Sequence, residues 1–270
     1  MHTTFKLIIE YCGTPYCGWQ IQPDQPTVQE EIQKALARML NQNVSVIASG
    51  RTDAGVHALA QVAHFKADTK IPPEKFQEAL NSMLPDAITI HSCTREEDDF
   101  HARFGAKRKR YTYRIINKPL SPAIGKDTFW HIRKPLDLET MKEAAEHLKG
   151  THDFKAFEGT GSPRATTVRT LFEACIHHHG QGLVTLTFCG NGFLKFMVRN
   201  MVGTLVEVGL ERFSPDEFKT LLESGDRKKA GATAPAQGLF LVHVTYDDSP
   251  FAPREFADSP LYPAGLSSVP

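Results

Sequence analysis

The order in which strand-like and helix-like patterns alternate in the N-terminal part constrains the fold more than any other feature of this chain. Lys6–Tyr11 is β-rich and halts at Gly13-Thr14-Pro15. From Thr27 onward, Val28, Ile32, Leu36, Met39 and Leu40 recur at helical spacing, and Thr27 with Glu30 has the spacing of a capping box. Val44–Ser49 reads as a short strand, a glycine-bounded loop runs from Gly50 to Gly55, and a second strand follows over His57–Lys66. Phe76, Leu80, Met83 and Leu84 mark a helix ended by Pro85, and Ile88, Ile90 and Ser92 open another strand. The order β-α-β-β-α-β is the split βαβ, or ferredoxin-like, pattern.

The C-terminal part varies the same order. A short strand is expected near Phe129–Arg133, then a helix capped by Asp137 with Leu138, Met141, Ala145 and Leu148 on one side, closed by Gly150. Strands over Thr166–His178 and Leu183–Cys189 are joined by Gly180-Gln181-Gly182, and a strongly apolar helix spans Phe193–Leu210. Ser214-Pro215-Asp216-Glu217 is a helix start, and Gly238 precedes a last strand, Leu239–Tyr246. The strand Lys109–Asn117 fits either half. At 270 residues the chain sits near the size where one core divides into two. The expectation is an α/β (α+β) protein of two ferredoxin-like domains, residues 1–104 and 105–248, whose antiparallel sheets meet at a central cleft. A Pro-rich tail, 249–270, carries no assigned chemistry.

Composition excludes collagen, coiled-coil and disordered classes, with 41% hydrophobic and 23% charged residues. Thirty-one bases balance 31 acids, which argues against a general basic coat but permits a local basic groove. No export leader or membrane span is expected, since the best apolar stretch contains Lys195, Arg199 and Glu207. Five cysteines without CxxC spacing read as reduced thiols of a cytoplasmic protein.

One loop, Ser49-Gly50-Arg51-Thr52-Asp53-Ala54-Gly55, sets a single carboxylate between glycines where two strands join. Arg51 lies two residues from Asp53, so both can project to one side of an extended loop. The pairing suits an ionised carboxylate acting as nucleophile; a tight hairpin whose Asp caps turn amides is the structural alternative. Between Arg103 and Lys118 stand seven bases and no acid, with Tyr111 and Tyr113 interleaved. Basic residues neutralise phosphates and aromatic faces stack on unpaired bases, so Arg108, Lys109 and Arg110 point to RNA rather than to a merely solvated strand. Arg199 lies in the apolar helix and needs a partner, for which a lone carboxylate in the cleft would serve. Cys175, His177 and His179 share a strand face but lack a fourth ligand, so no metal is assigned. Walker A, GxGxxG, HExxH and GxSxG motifs are absent from the sequence.

Together, "SGRTDAGVHALAQVAHF", "KRYTYRI", "GNGFLKFMVRNMVGTL" and "APAQGLFLVHVTY", in order from about residue 5 to 247, resemble the TruA-type tRNA pseudouridine synthases. The resemblance implies an isomerase in tRNA processing that converts uridine to pseudouridine at positions 38, 39 and 40 of the anticodon stem-loop. It also implies a two-domain homodimer that needs no cofactor. It makes Asp53 the catalytic residue, Arg51 its loop arginine, Tyr111 the active-site tyrosine, Arg199 the partner of the carboxylate, and Leu239 the apolar residue under the base. Arg110, from the basic strand, is expected to dock tRNA phosphates. A non-catalytic RNA-binding protein would explain the basic strand but not Asp53 with Arg199. A glycoside hydrolase would need a second carboxylate.

Overall fold

The computed structural model describes residues 3–161 and 165–247, so the tail 249–270 lies outside the described residues. In chain order the elements are β1 (Thr3–Tyr11), α1 (Val28–Leu40), β2 (Ile47–Ala48), β3 (His57–Ala67), α2 (Pro73–Met83), β4 (Ile88–Glu96), β5 (Arg108–Asn117), β6 (Trp130–Ile132), α3 (Leu138–Glu146), β7 (Gly150–Asp153), β8 (Val168–His178), β9 (Leu183–Gly190), α4 (Met197–Gly209), α5 (Pro215–Ser224) and β10 (Leu239–Thr245). The class is mixed α/β with mostly antiparallel pairing.

Where two sheets were expected, the strands form one, in the order β4-β1-β3-β10-β5-β9-β8-β7, with β2 beside β3 and β6 beside β5. The C-terminal strand joins the halves. β10 runs parallel to β3, pairing Phe240 with His57, and antiparallel to β5, pairing Leu241 with Tyr111. The Asp53 loop leads directly into β3, so this central seam brings it beside β5 although the two are far apart in sequence.

Alternation along the strands sends one set of side chains into the core. Phe5, Leu7 and Ile9 of β1 are fully buried, as are Ile32 and Leu36 of α1 and Phe76 and Leu80 of α2. Full burial of such a side chain contributes about 1.5–3 kcal/mol, so these apolar stripes outweigh local propensity in fixing the helices against the sheet. α4 is buried almost all round, at Met197, Val198, Met201, Val202 and Leu205 among others.

Helix caps follow expectation at two starts. Asp137 accepts from the Glu139 and Thr140 amides, and Ser214 with Glu217 forms a complete capping box. The box expected at Thr27 does not form. Thr27 is fully buried with its hydroxyl unsatisfied, and Glu30 pairs instead with Lys34, one turn on, at 2.9 Å. The strand expected over Val44–Ser49 shrinks to Ile47–Ala48, and β7 was not foreseen. α4 starts at Met197 rather than Phe193, because Phe196 adopts φ 61°, outside the right-handed helical region.

Candidate active site

The loop that presents Asp53 is fastened from below. Gln61, fully buried on β3, donates through Nε2 to the Gly50 carbonyl at 2.9 Å and accepts from the Ser49 hydroxyl at 2.8 Å. The Tyr11 and Thr52 hydroxyls share a 2.8 Å hydrogen bond. The Trp19 amide donates to the Thr52 carbonyl, and the Val56 amide to the Asp53 carbonyl, each at 3.1 Å. Gly18, at φ +92°, lets the chain pass beneath, since a Cβ there would stand 2.6 Å from the Thr52 oxygen. A loop satisfied in this way holds its carboxylate in one place without help from substrate.

Arg199, two residues into α4, meets that carboxylate. Its Nη1 donates to Asp53 Oδ2 at 3.4 Å, and its Nε donates to the Ala234 carbonyl at 2.8 Å. The guanidinium also lies 5.1 Å from the centre of the Phe196 ring. The side chains of Arg199 and Asp53 are 15% and 24% exposed, so the pair is reachable yet largely dry. Burial pushes the Asp53 carboxyl above its ordinary range, while Arg199 and, more weakly, Lys195 pull it back.

A buried network orients Arg199. Asn200, next in sequence and fully buried, donates to the Phe157 carbonyl at 2.8 Å and accepts from Thr233 Oγ1 at 2.6 Å and Arg227 Nη2 at 3.0 Å. These bonds fasten the segment whose Ala234 carbonyl holds Arg199. Asn200 was visible as a polar residue in an apolar helix, but Thr233, Arg227 and the strained Phe196 gave no sequence signal of their own.

Tyr111 comes from β5, on the face that looks toward Asp53. It is 8% exposed and packs edge-to-face on Phe193, with ring centroids 5.0 Å apart. Burial pushes its phenol pKa up, and the nearby Tyr11 and Asp53 add to the shift, so the hydroxyl stays protonated. Leu239 opens β10 opposite Tyr113, and Leu241 stands opposite Tyr111; both are buried on the same face. Arg51 is exposed and makes no hydrogen bond or ion pair among the described residues.

Arg110 does not join this group. It falls on the opposite face of β5, 5% exposed, with Nη2 donating to both Glu173 oxygens at 2.8 and 2.7 Å. A guanidinium committed in that way is poorly placed to dock phosphate. His57 is structural: its Nδ1 accepts from the Gly13 amide at 3.1 Å, and its Nε2 lies 3.0 Å from the Asp127 carbonyl.

Comparison with known proteins gives the chain a family. A family model described as tRNA pseudouridine synthase matches residues 7–105 and 144–247. The chain belongs to the tRNA pseudouridine synthase family. It is 48% identical over 240 residues to tRNA pseudouridine synthase A of Thermoanaerobacter sp. (strain X514), covering 89% of this chain and 98% of that one. The corresponding protein of Ruminiclostridium cellulolyticum is 46% identical over 241 residues, with 89% and 98% covered, and that of Pelobacter propionicus 45% over 243, with 90% and 99% covered. Among solved structures, a Cbf5-Nop10-Gar1 complex aligns with 87% of this chain and 57% of the matched chain, at 12% identity and a TM-score of 0.35.

As a family member this chain is an isomerase that acts on tRNA. Among the described residues no helix is long and apolar enough to cross a membrane, and no group of three or more His, Cys, Asp or Glu is placed to hold a metal ion. The His177 and His179 rings lie 6.3 Å apart, and His179 Nε2 is hydrogen-bonded with Thr185 Oγ1 at 2.8 Å.

Proposed function

We propose that this synthase converts uridine to pseudouridine at positions 38, 39 and 40 of the tRNA anticodon stem-loop, with Asp53 as its catalytic group. The observation that carries the reading is the Asp53–Arg199 pair, largely dry and faced by Tyr111, on a loop immobilised from beneath. The reaction breaks the C1′–N1 bond of the nucleotide, forms C1′–C5, and moves the C5 proton away, so no net oxidation or hydrolysis occurs. One carboxylate can open a covalent route that splits this into easier steps. Burial makes the Asp53 carboxylate more basic than a free one, which favours attack or proton abstraction, while Arg199 holds it in place.

The target base must leave its stack, at a cost of a few kcal/mol. Arg51, exposed and unpartnered among the described residues, fills the vacated space or bonds phosphate. Tyr111 stacks on the extruded uracil and assists proton removal at C5, and Leu239 supplies an apolar wall. Residues 1–104 and 105–248 act as two half-sites around the central seam, in a cytoplasmic homodimer.

Incubating the protein with tRNA labelled at C5 of uridine tests the reading. Label release together with pseudouridine at 38, 39 or 40 supports it. Bound but unmodified RNA, or isomerisation elsewhere in the tRNA, overturns it.

A further inference from the structure

The basic residues of β5 do not act together, because alternation divides them between two faces. Arg108, Arg110 and Arg114 share the face away from Asp53. There Arg108 lies 4.5 Å from the Phe172 ring centre, Arg110 holds Glu173, and Arg114 lies 5.9 Å from the Phe240 ring centre. Lys109 falls on the same face as Tyr111, two residues along the strand.

The surroundings of Lys109 are those of a cation without an anion. Its Nζ donates to the Ser49 carbonyl at 2.5 Å, at the root of the Asp53 loop. That neutral oxygen is its one hydrogen-bond partner among the described residues, and no carboxylate there pairs with it. An ammonium has three donors, so two remain. Glycines stand on either side. Gly190 is opposite on β9, and a Cβ at Gly50 would lie 3.0 Å from Nζ. The exposed Arg103 and the half-buried Arg169 bring further positive charge; Arg169 is steadied by bonds from Nη1 to the Thr166 and Val168 carbonyls at 3.1 and 2.6 Å. Burial, then repulsion from Arg103 and Arg169, lowers the Lys109 pKa to about 8. A desolvated ammonium held only by a neutral oxygen is unfavourable unless an anion completes its surroundings.

We infer that Lys109, with Arg103 and Arg169 at its rim, seats one backbone phosphate of the RNA beside the nucleotide that enters the Asp53 site. The inference rests on the proposed function, since it takes RNA to be the ligand. Because the same ammonium holds the Ser49 carbonyl, docking of that phosphate is mechanically tied to the position of the Asp53 loop.

The test pairs protein variants with an anticodon stem-loop RNA carrying single neutral methylphosphonates at each position in turn. Affinity is measured at several salt concentrations for wild type, Lys109→Met and Lys109→Arg. Lys109→Met is expected to weaken binding roughly ten-fold or more and to flatten the salt dependence by a slope of about 0.7–0.9, with Lys109→Arg keeping the slope. One methylphosphonate position should cost wild type affinity and cost Lys109→Met nothing. Unchanged affinity and slope in Lys109→Met, or full retention of every methylphosphonate penalty, overturns the inference. If Lys109→Met does not fold, the wild-type scan still decides: no single sensitive phosphate flanking the target uridine overturns it. Failure of the functional reading looks different, since wild type would then neither bind nor isomerise the unmodified stem-loop.

Discussion

Arg199 Nη1 stands 3.4 Å from Asp53 Oδ2, bridging 146 positions of sequence and closing α4 against the loop that leads into β3. The contact is single and long for a charge-assisted hydrogen bond. It leaves one carboxylate oxygen outside the pair, and burial outweighs the attraction of Arg199 in setting the carboxyl pKa. The pair therefore positions Asp53 without quenching its basicity.

Asp53→Asn and Asp53→Ala are each expected to lower turnover by roughly 10⁴-fold or more, as for loss of a nucleophile, with tRNA affinity little changed. Rapid-quench assays at saturating tRNA check this. A variant with a tenth of wild-type turnover removes Asp53 from the role. Stability should move the other way. A carboxyl whose folded-state pKa is raised binds its proton more tightly in the native state, so it favours folding at low pH and opposes it as pH rises past the folded value. Asp53→Asn should accordingly raise Tm at neutral pH, and the gain should shrink as pH approaches the unfolded carboxylate value.

Removing Arg199 takes away the attraction that offsets burial. Arg199→Leu should move the acid limb of the kcat/KM profile to higher pH than in wild type, because the Asp53 carboxyl then rises further. Arg199→Lys keeps a charge but loses the Nε contact to Ala234, so it should keep the limb near its wild-type position while lowering kcat. A pH profile that does not move in Arg199→Leu would show that the two groups are not coupled in the working enzyme.

Tyr111 separates stacking from proton transfer. Tyr111→Phe keeps the ring packed on Phe193 and should lower kcat about 10²-fold by losing the oxygen, with affinity unchanged. Tyr111→Ala should in addition lose roughly 1–3 kcal/mol of base stacking, read as a higher KM. Equal KM values for the two variants would remove the stacking role.

Local chemistry made some of this legible in sequence. The Asp137 and Ser214 caps involve residues within one turn of each other. The glycine-bounded Asp53 loop, and an arginine among Phe196, Met197 and Met201 that needs a partner, are both readable locally, and the structure joins the two. What stayed hidden depends on distant partners. The seam made by β10 needs a register between Leu241 and Tyr111 that no local pattern encodes. The Thr27 box does not form, and Glu30 pairs with Lys34 instead. Phe196 takes a backbone conformation bulky residues avoid, and surrounding packing imposes it: a Cβ at Gly159 would stand 2.4 Å from its ring. Alternation divides Arg108, Lys109 and Arg110 between two faces, but only the register of β5 against β9 and β10 decides which face meets the site.

Arg110 and Glu173 put that last point to a measurable test. Arg110 Nη2 reaches both Glu173 oxygens, in a pair whose arginine end is 7% exposed and whose carboxylate end is 39% exposed. The asymmetry predicts unequal costs. Arg110→Met removes the buried end and leaves a carboxylate that water can reach, so the loss should be about 1 kcal/mol. Glu173→Ala leaves a buried guanidinium without its carboxylate and should cost about 3 kcal/mol. Urea melts of both single variants and the double variant give the coupling energy directly. Because Arg110 faces away from Asp53, Arg110→Met should leave kcat, KM and the salt slope of tRNA binding unchanged, in contrast to Lys109→Met. A flattened salt slope in Arg110→Met would return this residue to the tRNA interface and require it to exchange Glu173 for phosphate when tRNA binds.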